Sequence, residues 1–166
     1  KYRPLRAVLV PVAGGPNSQL AVQVATRMAK LAEDGPAKVT LLRVVPQNAG
    51  KTAMIHAQKS IAHSIEGIPY EYTIKIEEGD KVVDTILRVA EEGDYDLIVI
   101  GASNEPLFKT LLVGSIPEQV AVRSKVTTMM VKRRSSTIKY ILKETVLQPA
   151  TAETAVVNNG EPETEA

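Results

Sequence analysis

Hydrophobic residues follow two alternating patterns along residues 6–132: short unbroken apolar runs, and longer stretches in which apolar residues recur at helical spacing. The runs are rich in β-branched residues, which is typical of strands buried on both faces of a parallel sheet. Residues 70–77 (YEYTIKIE) differ because they alternate with period two, which predicts a strand nearer an edge. The predicted strands are residues 6–12, 38–45, 70–77, 96–101 and 126–132.

The stretches between these runs are typical of helices that cover a sheet. Asn17 or Ser18 can cap the first helix, Asp80 the third and Ser115 the fourth, because their side chains accept hydrogen bonds from a first helical turn. Gly35-Pro36 ends the first helix. The predicted helices run from residue 17 to that pair, over 53–65, from the Asp80 cap through 90, and over 115–123.

This alternation of strands and helices predicts an α/β fold. Parallel βαβ units with right-handed crossovers form a doubly wound sheet with helices on both faces. A chain of 166 residues is long enough for one such domain with some residues to spare, and we expect the domain to span residues 1–133. The first residue is Lys rather than Met, which is compatible with a piece of a longer protein.

The C-terminal part differs in kind from the rest. Residues 134–149 form a basic segment whose charges are interleaved with apolar residues at near-helical spacing. This segment is compatible with a solvated terminus, a helix that docks on a partner, or an anchor on a membrane surface. Residues 150–166 carry four glutamates and no positive charge, so we expect them to be disordered.

Composition excludes several classes of function. The balance of 20 Lys+Arg against 19 Asp+Glu, with no Trp and one Phe, argues against nucleic-acid binding. The absence of cysteine excludes disulfides and Cys-ligated metal sites, and it suits a cytoplasmic location. No apolar run approaches the roughly 20 residues that a membrane-spanning helix needs, and no signal-peptide pattern follows the N-terminus.

Two loops follow strands at the carboxyl end of the sheet, which is where ligands bind in open α/β folds. The first is Ala13-Gly14-Gly15-Pro16-Asn17. The second reads Gly101-Ala102-Ser103-Asn104, then nine residues, then Gly114-Ser115 at the start of a helix. Glycines and a helix N-terminus together can hold an anion, but the same residues can also simply end a strand, turn a loop and cap a helix. The spacing alone leaves both interpretations open.

Three other motifs are weaker candidates. Gly50-Lys51-Thr52 lies between a strand and a helix, but Val45 stands where a P-loop needs its first glycine. His56 and His63 have no acidic or cysteine ligand between them, so we expect no metal site there. The residues after Ser103 do not match the motif that follows the nucleophilic serine of a hydrolase. We therefore expect no catalytic residue in the chain.

The motif from Gly101 to Ser115, called the glycine frame below, resembles the corresponding motif of universal stress protein domains. The resemblance to these domains covers residues 5–133. Nucleotide-binding members of that family carry Gly-x-x-Gly, nine residues, then Gly-Ser/Thr after the fourth strand. The neighbouring sequence is also similar to that of the family. The similar segments are Tyr95-Asp96-Leu97-Ile98-Val99-Ile100-Gly101, Leu111-Leu112-Val113-Gly114-Ser115 and Glu77-Glu78-Gly79-Asp80. Because the match extends beyond the glycines, it is more specific than a lone glycine pair.

The resemblance implies a five-stranded sheet of order 3-2-1-4-5, of the adenine nucleotide alpha hydrolase-like type, and a regulatory rather than enzymatic role. It implies ATP, AMP or another adenine nucleotide as ligand. It also implies a homodimer formed by antiparallel pairing of the fifth strands through Val126, Thr128, Met130 and Lys132. The nucleotide-binding positions carried over are Pro11, Val12, Ala13, Val44, Ile100, Gly101, Ala102, Ser103, Asn104, Gly114, Ser115 and Ile116.

Two positions depart from the family's pattern. Nucleotide-binding members usually have Asp where Ala13 stands and Gly where Asn104 stands. Asn tolerates positive φ, but Ala13 forfeits a hydrogen-bond partner typically worth about 0.5–1.5 kcal/mol. An alternative is therefore a degenerate docking and dimerisation module that binds no nucleotide, and slow nucleotide hydrolysis is a third, weaker one.

The first loop and the basic tail suggest a narrower comparison. They resemble the universal-stress-like domains appended to bacterial membrane transporters. That resemblance implies a stress-response role in regulating a fused or partner transporter, at the cytoplasmic face of the membrane.

Overall fold

The structure is a computed structural model that describes residues 4–102 and 114–134. Five parallel strands form one sheet in the order β3-β2-β1-β4-β5, which confirms the predicted order and fold class. The central strand β1 pairs with β2 through Val8 and Val39, and with β4 through Val8 and Leu97. The strands are β1 (Ala7–Pro11), β2 (Lys38–Val45), β3 (Tyr72–Glu78), β4 (Leu97–Gly101) and β5 (Thr127–Val131).

Helices cover both faces of the sheet, as the sequence predicts. Successive side chains of β1 point to opposite faces. Val8 packs in a core with residues of the first two helices, whereas Leu9 packs in a second core with residues of the last two. The helices are α1 (Pro16–Lys30), α2 (Lys51–Ile65), α3 (Val82–Glu92) and α4 (Ile116–Arg123).

Two of the predicted helix caps are wrong. Helix α1 begins at Pro16 with Gly15 as its N-cap, because the fixed φ of proline suits the first helical position. Asn17 and Ser18 are therefore already inside the first turn, where their side chains make other contacts. Lys81 is the N-cap of α3, while the Asp80 carboxylate accepts a hydrogen bond from the Gln47 N–H at 3.2 Å.

Helix α1 also ends earlier than predicted, at Lys30 rather than at Gly35-Pro36, whereas other boundaries differ by one or two residues. Helix α2 begins at Lys51 rather than residue 53, with Gly50 as N-cap, and β3 begins at Tyr72 rather than residue 70. Ser115 is the N-cap of α4, as predicted. The described residues up to Arg133 fall in one compact unit, and they contain no helix both long and apolar enough to cross a membrane. The predicted segments 134–149 and 150–166 lie outside the described residues, except for Arg134.

Candidate functional site

A cleft of about 540 Å³ opens at the carboxyl end of the sheet, where β1, β2 and β4 end and where α1 and α4 begin. Strands β1 and β4 are neighbours, yet the helices that follow them pack on opposite faces of the sheet. This is the switch point at which ligands bind in open α/β sheets. The topology thus places the two loops noted in the sequence beside one another.

The cleft collects the described residues that the sequence predicts for a nucleotide site. The end of β1 and the start of the first loop supply three positions, β2 supplies one, the end of β4 supplies three, and the start of α4 supplies three. Ser103 and Asn104 lie outside the described residues. The predicted positions that line the cleft are Pro11, Val12, Ala13, Val44, Ile100, Gly101, Ala102, Gly114, Ser115 and Ile116.

The side chain of Asn17 links the segments that follow β4 and β5, at the floor of the cleft. Its buried side-chain amide donates a hydrogen bond to the Ala102 carbonyl at 2.7 Å, and its side-chain oxygen accepts one from the Arg133 N–H at 2.8 Å. A Cβ on Gly101 would lie 2.5 Å from the Asn17 carbonyl oxygen, so only glycine fits there. The sequence indicates only that Asn17 or Ser18 can cap a helix, and it does not reveal this role.

The first loop is held by a hydrogen bond from within α1. Ser18 Oγ accepts the Ala13 N–H at 3.0 Å, and Ser18 itself is buried. Gly14 has φ of +91°, and a Cβ at that position would meet Ser60 of α2 at 3.0 Å. These contacts hold residues 13–15 at the mouth of the cleft.

The start of α4 presents a helix N-terminus to the same cleft. Gly114 has φ of +73°, a conformation that favours glycine. The Glu118 carboxylate accepts the Ser115 N–H at 2.9 Å, and Pro117 has no N–H to offer. Backbone donation to a ligand from this turn therefore falls chiefly to Gly114 and Ile116, with the partial positive charge of the helix end behind them.

Apolar side chains from β2 and α3 form another part of the cleft wall. Val44 lies on the same face of β2 as Leu42, and both pack in one core with Val82 and Ile86 of α3, which also line the cleft. Sequence reasoning identified Val44 but missed the contribution of α3. The hydrophobic spacing of α3 marked these two residues as core, which Ile86 also is.

Arg43 is the charged residue that sequence reasoning missed. It lies on β2 between Leu42 and Val44, lines the cleft, and donates a hydrogen bond from Nη1 to the Val12 carbonyl at 3.2 Å. Its Nε is buried and has no hydrogen-bond partner among the described residues. The available signal was one arginine inside the otherwise apolar end of the second strand.

Two of the weaker motifs lie away from the cleft, and the third, Ser103, lies outside the described residues. His56 and His63 are both exposed on α2, where His63 pairs with Glu66 at 3.4 Å. The part of the chain that the structure describes contains no cluster of three or more metal-ligating side chains. Gly50-Lys51-Thr52 is the start of α2 and does not line the cleft.

Comparison with known proteins identifies the family. A family model described as the universal stress protein family matches residues 4–132. The chain belongs to the universal stress protein family. In a sequence comparison with curated proteins, no protein matches.

Solved structures of universal stress proteins share the fold. A universal stress protein in complex with cAMP is 23% identical, with a TM-score of 0.64 over 78% of this chain and 98% of that one. The universal stress protein UspA from Lactobacillus plantarum is 21% identical, with a TM-score of 0.62 over 78% and 99%. A universal stress protein from Archaeoglobus fulgidus in complex with dAMP is 19% identical, with a TM-score of 0.58 over 77% and 98%.

Proposed function

We propose that the cleft binds an adenine nucleotide such as ATP or AMP, and that the domain is a regulatory nucleotide sensor rather than an enzyme. The observation that carries this proposal is the meeting of the two predicted loops around one cleft at a switch point. The cAMP and dAMP complexes of two universal stress proteins with this fold support it.

The lining of the cleft is suited to the parts of a nucleotide. The base packs on the apolar wall at Val44, and the ribose lies over the first loop and the end of β4. The phosphates lie against Gly101, Ala102 and the start of α4, and the resemblance adds Ser103 and Asn104 to that group. The described lining residues include no carboxylate that can activate water, which favours binding without hydrolysis.

Isothermal titration calorimetry with ATP, AMP and cAMP tests the proposal. We expect saturable binding of at least one of them below millimolar concentration. Binding that is absent for all three up to millimolar concentration would overturn the proposal. Phosphate release from ATP above a blank without protein would contradict the non-enzymatic part.

A degenerate docking module that binds no nucleotide is the second candidate. Ala13 favours it because its side chain offers no hydrogen bond and its N–H is already taken by Ser18. The paired substitutions Ala13→Asp and Asn104→Gly separate the two candidates. Nucleotide affinity gained only in this double variant supports degeneracy, whereas strong binding by the unaltered chain contradicts it.

We also propose a homodimer through the outer edge of β5, the last strand of the sheet in the described part of the chain. The Val131 carbonyl accepts the Ala102 N–H at 2.7 Å, so its backbone groups face β4. Backbone groups alternate sides along a strand, so those of Thr128 and Met130 face away from the sheet. The carbonyl of the predicted contact Val126 is taken by Ser124, and predicted Lys132 lies just past β5, so Thr128 and Met130 form the centre of the proposed interface.

Sedimentation of Thr128→Pro tests this interface. Proline removes an outward-facing N–H, so we expect a monomer with an intact sheet. The matched variant Met129→Pro removes a donor that faces β4, and it should lower folding stability instead. A dimer that persists in Thr128→Pro argues for another interface.

The wider role that we propose is regulation of a membrane transporter, fused or separate, from the cytoplasmic face of the membrane during stress. The resemblance of the first loop and basic tail to transporter-appended domains supports it. With it we propose the division into a domain of residues 1–133, a basic segment of residues 134–149 and an acidic tail of residues 150–166. Sedimentation with anionic lipid vesicles tests the tail. Salt-sensitive binding lost in Lys139→Glu with Lys143→Glu indicates a surface anchor, whereas no binding excludes that role for the tail.

A further inference from the structure

Arg43 gives the cleft a charge at the end farthest from the proposed phosphate site. Among the described lining residues it is the one charged side chain, with the neutral polar side chains of Asn17, Ser18, Ser115 and Gln119 elsewhere on the wall. Strand β2 is separated from β4 by β1, so two strand spacings, about 10 Å, lie between Arg43 and Gly101. A nucleoside monophosphate can span that distance with its phosphate at β4 and its base at β2.

The protein leaves the Arg43 guanidinium poorly satisfied. Arginine carries five N–H donors, and the described residues offer it one acceptor, the Val12 carbonyl at 3.2 Å. The buried Nε has no partner among them. The neighbouring Ala13 side chain is a methyl group, and Ser18 Oγ already accepts the Ala13 N–H. The partly exposed guanidinium therefore has donors that an acceptor on a ligand in the cleft can use.

The two purine types differ in what they offer to such a donor. The edge of adenine at positions 6 and 7 has one acceptor, N7, and an amino group that donates. The same edge of a 6-oxopurine has two acceptors, O6 and N7, which a guanidinium can engage together. An arginine with unused donors thus matches the 6-oxo base better than the 6-amino base.

We propose that Arg43 makes the cleft prefer purine nucleotides with an oxygen at C6, such as IMP or GMP, over adenine nucleotides. This inference rests on the proposed nucleotide site and extends its ligand class from adenine to purine nucleotides. Val44 follows Arg43 on β2 and leaves the strand on the opposite face, where it lies in the apolar wall that packs on either type of base, and both residues line the cleft. Arg43 then supplies the discrimination and the wall supplies the shared affinity.

Titration of IMP and AMP in parallel tests the inference, because these ligands differ at C6 and in the proton on N1. We expect the unaltered chain to bind IMP about 5- to 150-fold more tightly than AMP, the range for a two-acceptor arginine contact. In Arg43→Met, which removes the donors and keeps an unbranched side chain, the preference should fall to near one. Arg43→Lys should retain only part of it, because lysine lacks the fork.

Arg27→Met is the matched control. Arg27 is exposed in the last turn of α1, at the opposite end of that helix from the cleft, so its loss should leave the IMP preference unchanged. Thermal unfolding of each variant shows whether the fold is kept. The comparison of ligands in the unaltered chain stands even where a variant fails to fold.

The outcomes separate this inference from the proposed function. AMP binding as tight as IMP binding, or an IMP preference that survives Arg43→Met in a folded protein, overturns the inference and leaves the nucleotide site intact. If neither nucleotide binds, the proposed site fails and the inference fails with it. Binding of IMP alone supports Arg43 and contradicts the adenine part of the proposed function.

Discussion

Gly101 lies so close to the backbone of Asn17 that a Cβ on Gly101 would be 2.5 Å from the Asn17 carbonyl carbon and oxygen. The glycine thus has a packing role at the end of β4 besides any approach to a phosphate. Through this contact the first turn of α1 lies directly on the last residue of β4. The floor of the cleft is therefore set by two segments that are far apart in the sequence.

Gly101→Ala should destabilise the fold, because backbone rather than a flexible side chain has to move. We expect a loss of about 1–3 kcal/mol in the free energy of unfolding, the usual range for overpacking. Urea denaturation measures it. Gly50→Ala is the control, since a Cβ there meets no atom within 4 Å and the cost is limited to the N-cap preference. Equal losses in the two variants would contradict the packing role.

Substitution of Asn17 should separate stability from binding. Asn17→Ala removes the hydrogen bonds to Ala102 and from Arg133, with an expected loss of about 1–3 kcal/mol in unfolding free energy. Asn17→Asp keeps an acceptor for the Arg133 N–H but adds negative charge beside the proposed phosphate site. Calorimetry should therefore show weaker nucleotide binding in Asn17→Asp than in Asn17→Ala. The reverse order would argue against phosphate at this end of the cleft.

Gly114→Ala and Gly35→Ala form a matched pair at two glycines with positive φ. The φ angles are +73° and +102°, so alanine should cost each variant about 1–2 kcal/mol of stability. Only Gly114 lines the cleft, and a Cβ there would lie 3.2 Å from Glu118 Oε2 at the start of α4. Nucleotide affinity should fall in Gly114→Ala and stay unchanged in Gly35→Ala. A shared loss of affinity would indicate a global effect.

Glu77 should make stability depend on pH in the acid range. Hydrogen bonding from Arg88, at 2.9 Å, holds the pKa of the Glu77 carboxyl below its ordinary value of 4.5. The ionised form is thus the stabilising one, so its contribution is present above pH 4.5 and is lost as pH falls through the lower folded pKa. Unfolding midpoints of the unaltered chain and Glu77→Gln should differ at pH 7 and converge at low pH. The difference should be small because the pair is partly exposed. A difference that is constant with pH contradicts this role.

The fold could be predicted because burial on both faces leaves a direct trace in the sequence. Val8 and Leu9 face different helices and both are fully buried, so the first strand has no polar alternation to disguise it. The helix caps could not be predicted as well. Asn17 is a residue type that often caps helices, but its partners Ala102 and Arg133 are 85 and 116 positions away, and no local pattern reveals them.

The candidate site divides in the same way. The glycine frame around Gly101 and Gly114 could be recognised from the sequence, because few positions need glycine at such spacing. Arg43 could not be recognised in this way, because its role depends on which face of β2 it occupies and on the end of β1 beside it. The predicted sheet order makes β1 and β2 neighbours, but the register that brings Arg43 beside Val12 is seen only in the structure.

A two-dimensional ¹H–¹⁵N spectrum of the chain, titrated with AMP, tests the central claim most directly. Binding in the cleft should shift the amide signals of Ala13, Gly101 and Gly114. The amide signals of Gly35 and Gly67 should not shift, because these residues lie in the connections that precede β2 and β3, at the amino end of the strands. Saturable shifts confined to the cleft are the predicted result. Unmoved cleft signals at millimolar AMP, or shifts centred on Gly35 and Gly67, would contradict the account.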